Sequence, residues 1–401
     1  MSRHVPTSEA AIARAVKRRI WKQPWMLRAS CALGIEQVLA SEVAELAPGV
    51  PLEVTPGAVR FEVQFDELYA ALLRLRSADT IRIRIGDEAA ASFPMARDHL
   101  ARIPWALWLP RRCRVEVRIR AKGSRLRDGG GFERVVRQAI ADHGIEASVA
   151  SDAASVSLMQ VRLELRGGRA EVWLDAAGEP LHRRRGQRWS APTSLRETTA
   201  AALAVAGVPR DADLLYDPFC GSGTLLEEGA SWLLNRCPGA HRSFALEASP
   251  AWSDARMRHA RRTACPAEDT TVRLRLMGVD TAEAAVAAAH HNLELAGLRE
   301  AAQVRLADAR AVDPVELAAR SRATRPVLLA NPPYGRRAGA FGAEPDALVA
   351  QVVSAAAGFR FALLYPDGEA LYALSNVTVE RVVPVRMRGL RTQIITGDVS
   401  S

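Results

Sequence analysis

Apolar residues run together from Trp25 to Ala32 and Gly34 follows, which predicts a strand and a turn. Ile35, Val38, Leu39, Val43 and Leu46 recur at helical spacing, and Pro48-Gly49 with Pro51 ends that helix. Val59, Phe61 and Val63 alternate with Arg60 and Glu62 as in a strand with one buried face. Leu68, Leu72 and Leu75 return to one helix face, and Ile81, Ile83 and Ile85 alternate with Arg82 and Arg84. The predicted order strand-helix-strand-helix-strand is a small α+β unit. Farther on, Val115, Val117 and Ile119 alternate with Arg114, Glu116, Arg118 and Arg120, giving a strand with one apolar and one charged face. Phe132 to Ile145 reads as a helix, and Val161–Leu165 with Val172–Leu174 as a hairpin around Gly167-Gly168. Trp105 and Trp108, between Pro104 and Pro110, are expected to pack a helix onto a sheet rather than stack bases. Residues 1–24, with Arg14, Lys17, Arg18, Arg19 and Lys22 among alanines, are expected to be a frayed arm or a loosely docked helix.

After a polar stretch, Gly178 to Ser194, the pattern changes. Leu195, Thr199, Ala202, Leu203 and Ala206 predict a helix, and from there strands alternate with helices as in an open, mostly parallel sheet. The predicted strands are Leu214–Tyr216, Val272–Met277, Val304–Ala307, Val327–Ala330 and Phe359–Tyr365, with a final antiparallel pair near Val377–Arg388 and Thr392–Thr396. Ala240 to Asp269 looks like an insertion between the first two, and no internal repeat is present.

The strongest local signal is Leu215-Tyr216-Asp217-Pro218-Phe219-Cys220-Gly221-Ser222-Gly223-Thr224, a strand, a tight turn and a helix start. The glycines let the backbone turn sharply and let a ligand approach it, and the helix offers unpaired N–H groups there. The dinucleotide fingerprint Gly-x-Gly-x-x-Gly and the Lys-Ser/Thr ending of a phosphate loop are both missing. An acid ahead of the glycines suits a cationic ligand better than a pyrophosphate. Three acids stand at successive strand ends, Asp217, Asp280 and Asp308, with Glu247 competing with Asp280. Any one of them alone is more often a helix cap. A second signal, Asn331-Pro332-Pro333-Tyr334-Gly335, follows the apolar run Val327–Ala330. Neither a nucleophile–base pair nor a metal-ligand cluster is visible in the sequence, and His290 and His291 read as structural.

Composition narrows the partners. The 401 residues can hold two or three domains. No apolar run approaches the ~20 residues of a membrane span, and no signal peptide is visible. Cys31, Cys113, Cys220, Cys237 and Cys265 are scattered without a CxxC pair, which argues against a disulfide framework or a zinc site and for a reducing, cytoplasmic setting. The net charge of +9 favours polyanionic partners, although arginine far outnumbers lysine, as GC-rich coding alone would produce. Three adjacent arginines, Arg183, Arg184 and Arg185, lie in the stretch between the two halves, where they can span phosphates or make salt bridges.

Together, Leu181-His182-Arg183, Ala191-Pro192, Leu195-Arg196-Glu197-Thr198, Asp217–Thr224, Gly278-Val279-Asp280, Asn292 and Asn331–Gly335 resemble the THUMP-domain class I RNA guanine-N2 methyltransferases. The resemblance is strong from about Val161 to Tyr334 and weaker from Trp25 to Ile145. It departs from the family at Gln187, where relatives carry an aromatic residue. It implies an α/β, Rossmann-like methyltransferase domain over 196–401, a ferredoxin-like domain over 25–89, a THUMP RNA-binding domain over 90–178 and a linker over 179–195. The implied cofactor is S-adenosylmethionine (SAM), held by Asp217, Phe219, Gly221, Gly223, Thr224, Asp280, Asp308 and Asn331. Asn331 and Pro332 would accept the hydrogens of an exocyclic amine and Tyr334 would stack on its base. The implied partner is structured rRNA or tRNA, touched by Lys122, Arg125, Arg127, Arg183, Arg184, Arg185, Arg336 and Arg337. The protein is expected to act as a monomer without metal or membrane. The competing readings are an adenine-N6 or protein-glutamine methyltransferase, and an RNA-binding protein with a relic SAM fold.

Overall fold

The computed structural model describes residues 8–121, 129–148, 157–184, 186, 188–189, 194–265, 267–268, 273–333, 345–366, 368–387 and 389–401. The chain divides into two compact units. One comprises residues 1–30, 43–181 and 239–264, the other residues 31–42, 182–238 and 265–401.

The first unit opens with helix α1 (Glu9–Arg19), strand β1 (Pro24–Ser30), α2 (Glu36–Leu46, its first part counted with the second unit), β2 (Leu52–Thr55), β3 (Ala58–Gln64), α3 (Phe65–Arg74) and β4 (Thr80–Ala89). From β1 to β4 the order is β-α-β-β-α-β, with strands side by side as β2-β3-β1-β4. The sequence pattern did not predict β2. Its two central residues face solvent, so it has no apolar alternation, and it is specified by its pairing, Leu52 opposite Phe61 and Val54 opposite Val59. Then follow α4 (Phe93–Leu100), α5 (Trp105–Trp108), β5 (Arg112–Ala121), α6 (Gly129–Ala141), β6 (Glu146–Ser148), β7 (Leu158–Arg166) and β8 (Arg169–Asp175). β8 pairs antiparallel with β4, from Arg82 opposite Asp175 to Ala89 opposite Arg169. The described strands therefore form one eight-stranded sheet, β2-β3-β1-β4-β8-β7-β5-β6. The expected border between residues 89 and 90 falls at the end of a strand that serves both halves.

Of the two expectations for residues 1–24, the helix is the one found over the described residues 8–24, and it is docked by buried side chains rather than loosely. The hydroxyl of Ser8 caps α1, and Val16 and Ile20 are each only 1% exposed. Two apolar side chains on one face outweigh the run of cations on the other, which stays in water. Trp105 and Trp108 are buried as expected, with Trp25 edge-on to Trp108 at 4.8 Å.

The second unit begins with α7 (Glu197–Gly207), β9 (Leu214–Asp217) and α8 (Thr224–Leu233). The chain then contributes residues 239–264, including α9 (Asp254–Ala264), to the first unit. It resumes with β10 (Arg275–Asp280), α10 (Glu283–Leu295), β11 (Ala302–Leu306), α11 (Pro314–Ser321), β12 (Pro326–Ala330), α12 (Pro345–Ser354), β13 (Arg360–Tyr365), α13 (Glu369–Tyr372), β14 (Val377–Met387) and β15 (Leu390–Val399). The strand order is β11-β10-β9-β12-β13-β15-β14, with β14 and β15 antiparallel and the rest parallel. The chain steps outward from β9 to β10 and β11, then returns to place β12 on the other flank of β9. That reversal opens a crevice at the carboxyl end of β9.

The insertion-like stretch is a structural part of the first unit. Ser249 Oγ donates to the Trp108 carbonyl at 2.6 Å and Ser253 N–H donates to the Tyr69 hydroxyl at 3.0 Å. Trp252 packs on Tyr69 with centroids 4.9 Å apart, and a Cβ at Gly239 would lie 2.3 Å from the Leu72 carbonyl oxygen. At the roots of this stretch Cys237 and Cys265 form a disulfide, their Cα atoms 5.6 Å apart. This corrects the expectation of unpaired cysteines. The two stand 28 positions apart in sequence, and only the return of the chain brings them together. Cys31, Cys113 and Cys220 are buried thiols. Among the described residues no helix is long and apolar enough to cross a membrane.

Candidate functional site

The crevice is lined by the glycine turn. Asp217 ends β9 with 1% of its surface exposed, and its Oδ1 accepts from Phe219 N–H at 3.0 Å. Gly221 and Gly223 have φ of +52° and +76°, where a side chain is strained. A Cβ at Gly221 would meet nothing within 4 Å, so the turn is open on that side. Behind the turn the packing is close: a Cβ at Gly278 would lie 3.0 Å from both Cys220 Cβ and Leu226 Cδ1. Thr224 begins α8, so the positive end of that helix lies at the turn.

Asp280 ends β10, the strand beside β9, and its carboxylate is wired into the turn. Oδ2 accepts from Gly221 N–H at 2.9 Å and Oδ1 from Ala282 N–H at 2.9 Å. Burial pushes the Asp217 carboxyl up to about 8; the Phe219 hydrogen bond opposes the shift and the charge of Asp280 adds to it. Without a cation beside it, the buried acid keeps its proton at neutral pH. Burial likewise raises the Cys220 thiol, with Asp217 and Asp280 adding to the effect. Glu247, the competing acid, belongs to the first unit, where its Oε1 accepts from Phe244 N–H at 2.9 Å and caps a short turn. Asp308 follows β11 and is gripped by Arg310, with Nε 3.0 Å from Oδ1 and Nη2 2.5 Å from Oδ2. That pairing holds the Asp308 carboxyl below its ordinary range.

Asn331 directly follows β12, the other neighbour of β9, which pairs with it from Pro326 opposite Leu214 to Leu328 opposite Tyr216. Adjacent strands lie about 4.8 Å apart, so Asn331 emerges close to Asp217. Its Oδ1 is buried and accepts no hydrogen bond from any described residue. A buried acceptor left unpaired costs free energy and points to a donor that the described residues do not supply. Pro332 and Pro333 are buried and stiffen the following chain. Tyr334, Arg336 and Arg337 lie outside the described residues, as do Lys122, Arg125, Arg127 and Arg185.

The linker is fastened to the same turn by residues to which the sequence reading gave no role, Asn292 entering only as part of the resemblance. Asn292, buried on α10, accepts from Trp189 N–H at 2.9 Å and donates to the Trp189 carbonyl at 2.8 Å and the Ser222 carbonyl at 2.9 Å. Arg188 reaches Glu227, Thr224 Oγ1 at 2.7 Å and Glu197 at 3.4 Å. Arg184, a candidate phosphate contact, is corrected: it is buried and paired with Glu228 at 3.2 Å. An acid on α8 at that depth requires a cation, and Arg184 supplies it. Arg183 is exposed. A sequence signal existed for both pairings: two acids, Glu227 and Glu228, on a helix start otherwise made of apolar residues, and an asparagine in the apolar stretch of α10.

These residues fit a ligand with a cationic amino-acid end and hydroxyl groups. A buried carboxylate, an open glycine backbone, a helix start and a strand-end carboxylate beside the turn are what such a ligand needs. Residues 184–362 match a family described as RMKL-like, methyltransferase domain, and residues 26–82 match the RlmL ferredoxin-like domain. The chain is 28% identical over 328 residues to the putative RNA methyltransferase YpsC of Bacillus subtilis, covering 79% of this chain and 80% of that one. It is 28% identical over 398 residues to the ribosomal RNA large subunit methyltransferase K/L of Marinomonas, covering 94% of this chain and 52% of that one. The chain thus spans about half the length of that K/L enzyme. The crystal structure of SMU.472, a putative methyltransferase complexed with SAH, superposes with a TM-score of 0.78 at 24% identity, over 95% of this chain and 99% of that one. Residues 184–362 thus carry a methyltransferase domain of the RMKL-like kind, with S-adenosylmethionine as its methyl donor, and residues 26–82 a ferredoxin-like domain of the RlmL type.

Proposed function

We propose that the protein transfers a methyl group from SAM to the exocyclic N2 amine of a guanosine in structured RNA, either large-subunit rRNA or tRNA. The observation that carries this reading is the buried Oδ1 of Asn331, without a partner among the described residues, at the strand end beside Asp217. When bound, SAM supplies an electrophilic methyl on a sulfonium. Asp217 faces its ammonium, and the backbone at Phe219, Gly221, Gly223 and Thr224 receives its amino-acid end. Asp280 accepts from the ribose hydroxyls through lone pairs not spent on Gly221 and Ala282, and Asp308 accepts from the adenine amino group.

The amine of guanine is a poor nucleophile because its lone pair is delocalised into the base. Asn331 Oδ1 and the Pro332 carbonyl each accept one amine hydrogen, which turns the lone pair out of the ring plane and toward the methyl. Tyr334 stacks on the base, which must be unpaired or flipped to reach the site. The N–C bond forms as the C–S bond breaks, the sulfonium becomes a neutral thioether, and the released proton passes to water. This is catalysis by positioning and electrostatics, and it needs no strong base.

An exocyclic amine on a planar group leaves guanine N2, adenine N6 and cytosine N4 as targets. The choice of RNA is supported by the names of the relatives, and that of guanine by the motif series from Leu181 to Gly335. Residues 90–178 serve in this reading as a THUMP module. Lys122, Arg125, Arg127, Arg183, Arg185, Arg336 and Arg337 are the phosphate contacts, in water and cytoplasm and with the protein as a monomer. Replacing the target guanosine by inosine removes only the N2 amine. Transfer from labelled SAM is expected to vanish while RNA binding persists. Continued transfer, or N6-methyladenosine among the products, overturns the assignment.

A further inference from the structure

Trp189 stands out because it is exposed yet rigid. It leaves 54% of its surface in water, unlike Trp105, Trp108 and Trp173, which are fully buried. Its indole lies nearly parallel on the imidazole of His291, centroids 4.3 Å apart and planes 18° apart. Its backbone is clasped at both N–H and C=O by Asn292, and the same amide of Asn292 holds the Ser222 carbonyl inside the glycine turn. The preceding residue, Arg188, is tied to Thr224 at the start of α8. A large apolar ring is thus fixed to the methyl-donor turn and left open. The core gains nothing from it in this position.

We propose that Trp189, backed by His291, is a stacking platform for a nucleobase of the RNA, on the strand that carries the methylated residue and next to it. The inference rests on the function proposed above and names a residue that determines which RNA is accepted. A flat, preordered π-face costs little entropy on binding, and every base can stack on it, whatever its hydrogen-bonding edge. The pair sits on the α10 side of the glycine turn, whereas Asn331 follows β12 on the other flank of β9. The stacked base is therefore a neighbour of the target rather than the target itself.

The test uses the full chain and an RNA substrate with single abasic nucleotides placed in turn around the target. Trp189→Leu keeps apolar bulk without a π-face, and Trp189→Phe keeps a smaller one. The wild type is expected to lose about tenfold in KM at one flanking abasic position. Trp189→Leu should already show that tenfold-raised KM on intact RNA, with no further rise at that position. Trp189→Phe should recover most of the difference, and calorimetric SAM affinity should stay the same in all three. If the wild type methylates RNA but Trp189→Leu matches its KM, or if the substitution weakens SAM instead, the platform is overturned and the function stands. If the wild type transfers no methyl to RNA, the function fails and the platform with it.

Discussion

At the scale of single residues, Asp217 is a buried acid with no cation beside it among the described residues. Asp217 is held at about 8 by burial, so in the free protein it is mostly protonated at pH 7. Because its folded value lies above its unfolded one, proton binding favours the fold, and this contribution is lost as pH rises from the ordinary carboxyl range through about 8. In the proposed function the SAM ammonium faces Asp217, which would reverse the preference and draw the carboxylate into its charged form. Calorimetry at pH 7 in two buffers of different ionisation enthalpy should therefore show close to one proton released per SAM bound. Asp217→Asn should release none, and a buffer-independent enthalpy in the wild type would refute the pairing. Asn331 is the complementary case, an acceptor waiting for a donor. Asn331→Ala should leave SAM affinity nearly unchanged and slow single-turnover transfer about 10²-fold or more. A variant with normal turnover would remove Asn331 from the mechanism.

At the scale of elements, what was legible in the sequence follows from whether one segment carries its own signal. β1, β3 and β4 alternate or run apolar and were readable, as were the glycine turn and the apolar β12 ahead of Asn331. β2 and β6 were not, since four and three residues with exposed positions carry no periodicity and exist by pairing alone. β10 lies three residues later than its apolar run suggested because its last residues, Gly278 and Asp280, serve the turn rather than the core. The linker is the sharpest case. Its arginines could be read as phosphate contacts or as salt-bridge partners, and Arg184 and Arg188 are spent on Glu228 and Glu227, partners that only the fold brings near. Asn292 is the element that ties linker, α10 and glycine turn together. Asn292→Ala strands two carbonyls and one N–H, so it should destabilise the protein by about 2 kcal/mol or more in a denaturant melt and weaken SAM in a titration. Unchanged stability would mean that water replaces the asparagine at no cost.

At the scale of the whole molecule, the first unit is completed by residues that come more than fifty positions after its main stretch. Composition gives no hint of this, because Tyr69, Trp108 and Trp252 look like ordinary aromatic residues until Ser249 and Ser253 are seen to reach back to them. A fragment ending at Leu181 lacks residues 239–264 and leaves the outer side of α3 and the Trp108 carbonyl uncovered. It should bind an apolar dye and melt at a lower temperature than the full chain. Adding a peptide of residues 239–264 should reverse both effects. A fragment that melts like the full chain and ignores the dye would show that the stretch is only an accessory.

The chain passes from one unit to the other at 30/31, 42/43, 181/182, 238/239 and 264/265. Heredity feels that threading. No single recombination point delivers one unit whole without part of the other, so a gene crossing over within this sequence joins at least one incomplete unit to a foreign partner. The two units are bound to travel together through descent, and a change in how one grips its substrate must be matched inside the same reading frame.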